Sequence, residues 1–162
     1  MQYIIYLQVP EYTKEYLLHH FSRDGQVVEC KKYSPIIGFM QLNLRKRLNF
    51  YPEEEMGNLK VAIPNVDENH TKETYNFLSK TNRSKLATIF RNIMISHLWC
   101  SYIKEVRLAK ADRRKKTNTI NDFVIDFCQK NGIRVTSDSL NRFLVEINRE
   151  KTKLKSEYNI EL

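Results

Sequence analysis

The chain has 162 residues, of which 41% are hydrophobic, and this is enough apolar surface to bury a core and to exclude a wholly disordered protein. The 27 Lys and Arg residues exceed the 19 Asp and Glu residues, and the resulting net charge of +8 favours polyanionic partners. Three widely spaced cysteines exclude a disulfide-rich secreted scaffold, and no apolar run is long enough to cross a membrane.

The first 66 residues alternate between strand and helix patterns, and they predict a small β-α-β-α-β unit. The strand patterns lie at residues 3–9, 26–30 and 59–64, and the helical patterns lie at residues 11–21 and from residue 35 onward. Asp24 and Gly25 form a turn signal, and Ser34 is the expected N-cap of the second helix, with Pro35 at its first position.

Residues 67–162 have the patterns of an all-helical unit, with residues 65–74 as the expected connector. Helices are expected at residues 84–111, 120–130 and 137–155. Asn131 and Gly132 predict the end of the second of these helices, and Thr136 or Ser137 predicts the N-cap of the third. The expected fold class is therefore α+β, with domains at residues 1–66 and 67–162.

The last two predicted helices and the turn between them have the layout of a helix-turn-helix unit. Asn141, Arg142, Asn148 and Arg149 lie off the apolar stripe of the last helix. Arg and Asn are the side chains that pair bidentately with guanine and adenine in the major groove. The alternative is a helical hairpin that only packs, and the long turn NGIRVTS is compatible with that alternative or with a variant motif.

A basic segment precedes this hairpin. Residues 104–116 contain seven cations and two acids, and four of the cations are consecutive: Arg113, Arg114, Lys115 and Lys116. Together with Arg107 and Lys110 they predict phosphate contacts, which position a protein on nucleic acid without reading its sequence. The alternative is a solvated connector between two helices.

Two sequence patterns resemble known groups of proteins. A strand, then VPE and an amphipathic helix, resembles the opening of ribbon-helix-helix DNA-binding proteins, although the strand pattern QVVEC departs from that family. The segments YLQVPEY, VAIP, ETYNFL, LW and FCQKNGI resemble small uncharacterised proteins of phages and mobile elements of Bacteroides-type bacteria. This second resemblance implies a bacterial, phage-related setting and no particular site residues.

The sequence indicates no enzyme and no cofactor. It contains no phosphate-binding glycine loop and no nucleophile motif. His97 and Cys100 have the spacing of zinc ligands, but two further ligands are missing and a core His and Cys are expected instead. Asp122 and Asp126 share a helical face as magnesium ligands do, but no further carboxylate completes such a site. We therefore expect no metal.

These patterns predict a cytoplasmic, nucleic-acid-binding regulatory or accessory protein, with double-stranded DNA favoured over RNA and with no membrane association. The predicted contacts are Arg107, Lys110, the four consecutive cations 113–116, Asn141, Arg142 and Arg149. The alternative function is a non-enzymatic interaction or self-assembly module, in which the tyrosine-rich N-terminal half docks a partner protein or a second copy as a homodimer.

Overall fold

The computed structural model describes residues 3–30, 35–46, 57–65, 71–111 and 119–158. It divides into two compact units, Met1–Arg91 and Asn92–Leu162. The predicted α+β class is confirmed, with the strands near the N-terminus and an all-helical C-terminal part. The predicted domain boundary between residues 66 and 67 lies outside the described residues and stays a prediction.

The first unit contains two small sheets. Its elements are β1 (Ile4–Leu7), α1 (Glu11–Phe21), β2 (Val27–Glu29), α2 (Pro35–Asn43), β3 (Arg45–Lys46), β4 (Leu59–Ala62) and β5 (Tyr75–Phe77). In the three-stranded sheet β4 is central, antiparallel to β1 and parallel to β2. β3 and β5 form an antiparallel pair that the sequence did not predict. β5 also corrects the expectation that no strand lies beyond residue 66.

A side-chain clamp extends the pairing of β1 with β4. Asn58 Oδ1 accepts a hydrogen bond from Val9 N at 3.0 Å, and Asn58 Nδ2 donates to Val9 O at 2.8 Å. Gly57 has φ +149°, and a Cβ at this position would lie 2.5 Å from the carbonyl carbon of Leu7. The chain therefore needs a glycine where it enters β4, because no side chain fits between the two backbones.

The turn predicted at Asp24 and Gly25 is confirmed, with φ +73° at Gly25. The Asp24 carboxylate accepts hydrogen bonds from Gln26 N at 2.9 Å, Ser22 Oγ at 2.9 Å and Val27 N at 3.2 Å. These hydrogen bonds lower the pKa of Asp24 because they stabilise its ionised form. The predicted N-cap Ser34 lies outside the described residues.

The longest helix, α3 (Lys80–Ala111), contributes residues to both units. It begins four residues before the predicted start. Its buried residues recur at intervals of four: Leu86, Phe90, Met94, Leu98 and Tyr102. Ile89 and Ile93, which the sequence placed on the apolar face, are half-buried.

The second unit consists of residues 92–111 of α3 together with α4 (Ile120–Lys130) and α5 (Ser137–Tyr158). An aromatic cluster forms its core. Ring centroids are 5.3 Å apart between Tyr102 and Phe123, 5.5 Å between His97 and Phe127, and 5.9 Å between Phe127 and Phe143.

In the described ranges no helix has both the length and the apolar character that crossing a membrane requires.

Candidate nucleic-acid interface

Local hydrogen bonds fix the start of each helix of the α4–α5 hairpin. At the start of α4, Thr119 Oγ1 accepts from Asp122 N at 3.1 Å while the Asp122 carboxylate accepts from Thr119 N at 3.1 Å, which is a capping box. At the start of α5, Thr136 Oγ1 accepts from Ser139 N at 3.1 Å, and Ser139 Oγ accepts from Thr136 N at 3.0 Å. The predicted N-cap near Thr136 is confirmed.

The connection between the two helices begins with a left-handed glycine cap. Gly132 has φ +68°, Ile133 N donates to Cys128 O at 2.9 Å, and Gly132 N donates to Gln129 O. This is the Schellman arrangement, so the predicted cap at Asn131 and Gly132 is confirmed. Ile133 is buried directly after the cap, and the connection runs over residues 131–136. It is therefore longer than the usual 3–4-residue turn of a helix-turn-helix.

The side of α5 that faces away from the core is polar. Phe143 and Ile147 are buried, whereas Asn141, Val145 and Asn148 are exposed. The three exposed residues follow one another at intervals of four and three, so they lie along one line of the helix. The line thus presents one aliphatic side chain with one amide side chain on each side of it.

The two arginines predicted on α5 converge on Glu146, an acid whose burial was not expected from the sequence. Glu146 is only 2% exposed, and its carboxylate is 2.7 Å from Arg142 Nη2 and 3.2 Å from Arg149 Nη2. The Arg142 side chain is 36% exposed, compared with 66% for Arg149, which also approaches Glu150 at 3.5 Å. Arg142 is therefore a structural partner of Glu146, whereas Arg149 keeps much of its guanidinium in solvent.

The remaining predicted contacts lie on α3 and after it. Arg107 and Lys110 are both exposed, and Lys110 lies in the last turn of α3, where a cation interacts favourably with the helix dipole. Arg113, Arg114, Lys115 and Lys116 lie outside the described residues. Their exposure and the face on which they lie stay predictions.

The candidate metal ligands have other partners. Asp122 is engaged in the capping box, and Asp126 Oδ2 lies 2.6 Å from Lys130 Nζ, an ion pair that raises the pKa of Lys130. His97 packs against Phe127, as expected of a core histidine, whereas Cys100 is exposed and so corrects the expectation of a core cysteine. Within the parts of the chain that the structure describes, no group of three His, Cys, Asp or Glu residues is placed to hold a metal ion.

The structure thus brings Arg142 and Arg149 together around Glu146, places Asn141 and Asn148 on the outward line of α5, and places Arg107 and Lys110 on another helix. The i,i+4 spacing of Arg142 and Glu146 is visible in the sequence, where such a pair is ordinarily an exposed surface ion pair. No protein-family model, curated protein or solved structure matches this chain.

Proposed function

We propose that the protein binds double-stranded DNA through the α4–α5 hairpin, with α5 as the helix that enters the major groove. The observation that carries this proposal is the exposed line of Asn141, Val145 and Asn148 on a helix whose opposite side is buried. Asparagine pairs bidentately with adenine, and an aliphatic side chain packs against the thymine methyl group. The line therefore has the chemistry of a reader of A·T base pairs.

Arg149 supplies a phosphate contact in this proposal, because its guanidinium is largely in solvent and is oriented by Glu146. Arg142 does not read bases, since it holds the buried carboxylate of Glu146. The cations at residues 113–116 are proposed as further phosphate contacts. The resemblance described above supports a regulatory or accessory factor of a phage or mobile element.

The alternative of a tyrosine-mediated docking surface in the N-terminal half has less support. Tyr12 and Tyr16 are buried, and Tyr3 and Tyr6 are half-buried. These side chains contribute mainly to the core of the first unit and offer little area to a partner.

The test compares Asn148→Ala with Arg142→Ala on a duplex selected from a random pool and on a scrambled duplex. We expect Asn148→Ala to cost about 1–3 kcal/mol on the selected site and much less on the scrambled one. Arg142→Ala should lower the thermal stability, because Glu146 loses one of its two cations, while the preference between the two duplexes is kept. The readout is fluorescence anisotropy, with thermal unfolding in parallel.

Equal losses of Asn148→Ala on both duplexes would contradict base reading by α5. Failure of the wild type to bind any duplex would contradict the proposed function itself. Lys85→Ala is the control for the loss of a charge, because Lys85 is exposed on α3 in the first unit.

A further inference from the structure

A groove of about 600 Å³ lies along the outer face of the last third of α3. Its lining runs from Trp99 to Ala111 in two rows with a spacing of four residues, and the rows contain Ile103, Lys104, Arg107 and Leu108. At 3.6 residues per turn these rows lie on the side of the helix opposite the buried line that ends at Leu98 and Tyr102. The groove therefore lies on a face of α3 that is separate from the core.

The centre of this face is apolar. Leu108 is 48% exposed, and Trp99 and Ile103 are half-buried. The indole of Trp99 is stacked on the ring of Tyr102 with the centroids 5.8 Å apart, so its orientation is fixed before anything binds. A rigid, partly exposed Trp beside aliphatic side chains and an Arg is the composition of an interface hot spot.

Two cations lie among these apolar residues. Lys104 and Arg107 are both exposed, and neither has an acidic partner among the residues that the structure describes. Arg107 was predicted to contact phosphate, but its neighbours Ile103 and Leu108 would gain nothing from a phosphate backbone. An occupant that satisfies the whole face must bring apolar side chains for the centre and carboxylates for the two cations.

A second copy of the chain does not meet this requirement. A two-fold axis on this face would bring Lys104 and Arg107 of one copy close to the same two cations of the other copy. The net charge of +8 adds to the repulsion between two copies. The occupant is therefore a different, acidic molecule.

We propose that the groove between Trp99 and Ala111 docks an amphipathic helix of a partner protein whose apolar stripe is flanked by Asp or Glu. Rows of side chains with a spacing of four residues on one helix accept the corresponding ridges of another helix. The face is about 18 Å long at 1.5 Å per residue, so the partner contributes three to four turns. Because one helix face offers less than a standard interface area, the contact is weak and reversible.

The test uses a fluorescent designed helix of about 18 residues with leucines along one face and glutamates beside them. A second peptide has lysine in place of every glutamate. We expect saturable binding of the acidic peptide, at least about tenfold tighter than that of the basic peptide. Ile103→Ser/Leu108→Ser should abolish binding of both, with the far-UV circular dichroism retained.

Reversing the charges of Lys104 and Arg107 tests the proposed pairing with carboxylates directly. Lys104→Glu/Arg107→Glu should exchange the preference, so that the basic peptide binds and the acidic one does not. Lys80→Glu/Lys85→Glu is the matched control, since it makes the same charge change at exposed positions of the same helix and should keep the wild-type preference.

Three results would overturn the proposal. The first is no saturable binding of the acidic peptide by a folded wild type. The second is a combined result: duplex DNA displaces the peptide, and Lys104→Glu/Arg107→Glu no longer binds DNA. The groove would then be a nucleic-acid-binding surface. The third is self-association in sedimentation that Ile103→Ser/Leu108→Ser removes, because the occupant would then be a second copy. None of these results depends on Asn148, so the DNA-reading proposal for α5 is tested separately.

Discussion

Gly57 shows how closely one residue can be constrained by the backbone of a neighbouring strand. We expect Gly57→Ala to lower the free energy of unfolding by about 2–3 kcal/mol, because the new Cβ meets Leu7 at 2.5 Å and φ is +149°. Gly38→Ala is the control: Gly38 lies inside α2 with no atom within 4 Å of the added Cβ, so alanine should stabilise the helix by about 0.5–1 kcal/mol. Urea denaturation of both variants measures the difference, and equal stabilities would contradict the close approach of β1 to Gly57.

Glu146 is the residue that most changes the interpretation of the sequence. A glutamate four residues after an arginine on a basic helix is usually an exposed ion pair worth a few tenths of a kcal/mol. Here the glutamate is 2% exposed, and two guanidinium groups approach its carboxylate oxygens at 2.7 and 3.2 Å. Periodicity assigns a residue to a helical face. It does not show whether a charged side chain on that face is buried, because burial depends on the cations that pair with it.

At the scale of the element, the start of α4 depends on one threonine. We expect Thr119→Ala to lower the free energy of unfolding by about 1 kcal/mol, because Asp122 N loses its acceptor and the Asp122 carboxylate loses the Thr119 hydroxyl at 2.7 Å. Thr119→Ser keeps the hydroxyl and should stay within a few tenths of a kcal/mol of the wild type. Chemical denaturation followed by circular dichroism distinguishes these outcomes, and an equal loss in both variants would mean that the capping bond is not the cause.

The elements with strong end signals were predictable from the sequence, and the weakly marked ones were not. The predicted range 120–130 equals the observed α4, and Asn131 and Gly132 marked its end in the sequence. β3 and β5 have only two and three residues, which is too short for a period of two to be visible. The buried residues of α3 recur every four residues, so the buried line turns by about 40° at each step and departs from a single fixed face.

The polar residues of the candidate site could be predicted from the sequence, but the role of each residue could not. Asn141 is exposed on the last helix, where the sequence placed it as a contact residue. The sequence predicted Arg142 as a base-reading residue, but its ion pair with Glu146 supports a structural role instead. A buried partner for Arg142 is a tertiary property, and no spacing rule contains it.

At the scale of the whole molecule, the buried Tyr16 and the half-buried Cys30 predict sensitivity to alkaline pH. Burial raises the pKa of Tyr16 from 10.0 to about 12 and that of the Cys30 thiol from 9.0 to about 12. The folded state therefore holds these protons more tightly than the unfolded chain does. Their contribution to stability is complete below pH 9, and it is lost as the pH rises from there to about 12.

We expect the free energy of unfolding of the wild type to fall above pH 9 more steeply than that of Tyr16→Phe/Cys30→Ala, which lacks both ionisable groups. The measurement is urea denaturation at a series of pH values from neutral to alkaline. Cys100→Ala is the control, since Cys100 is exposed, and it should follow the wild type. Parallel pH profiles for the wild type and the double variant would contradict the assignment.

The proposed DNA binding predicts a dependence on salt, because cations that contact phosphates release counterions from the DNA. If four to seven phosphates are neutralised, the slope of log K against log salt concentration should be about −4 to −6. Alanine at residues 113–116 should reduce the slope by up to about four contacts and leave the melting temperature nearly unchanged. Lys80→Ala/Lys85→Ala removes exposed cations elsewhere and should leave the slope unchanged. An unchanged slope in the 113–116 variant would make that segment a solvated connector.

The cap between α4 and α5 also affects the chemical ageing of the chain. Asparagine followed by glycine deamidates readily, because an unhindered glycine nitrogen reaches the side-chain carbonyl. Here Asn131 is 6% exposed, its Nδ2 donates to Phe127 O at 2.7 Å, and Gly132 N is turned toward Gln129 O. The fold therefore engages both reacting groups in other hydrogen bonds, and unfolding releases them. Isoaspartate at position 131 in a stored sample would then record the time that its molecules had spent unfolded.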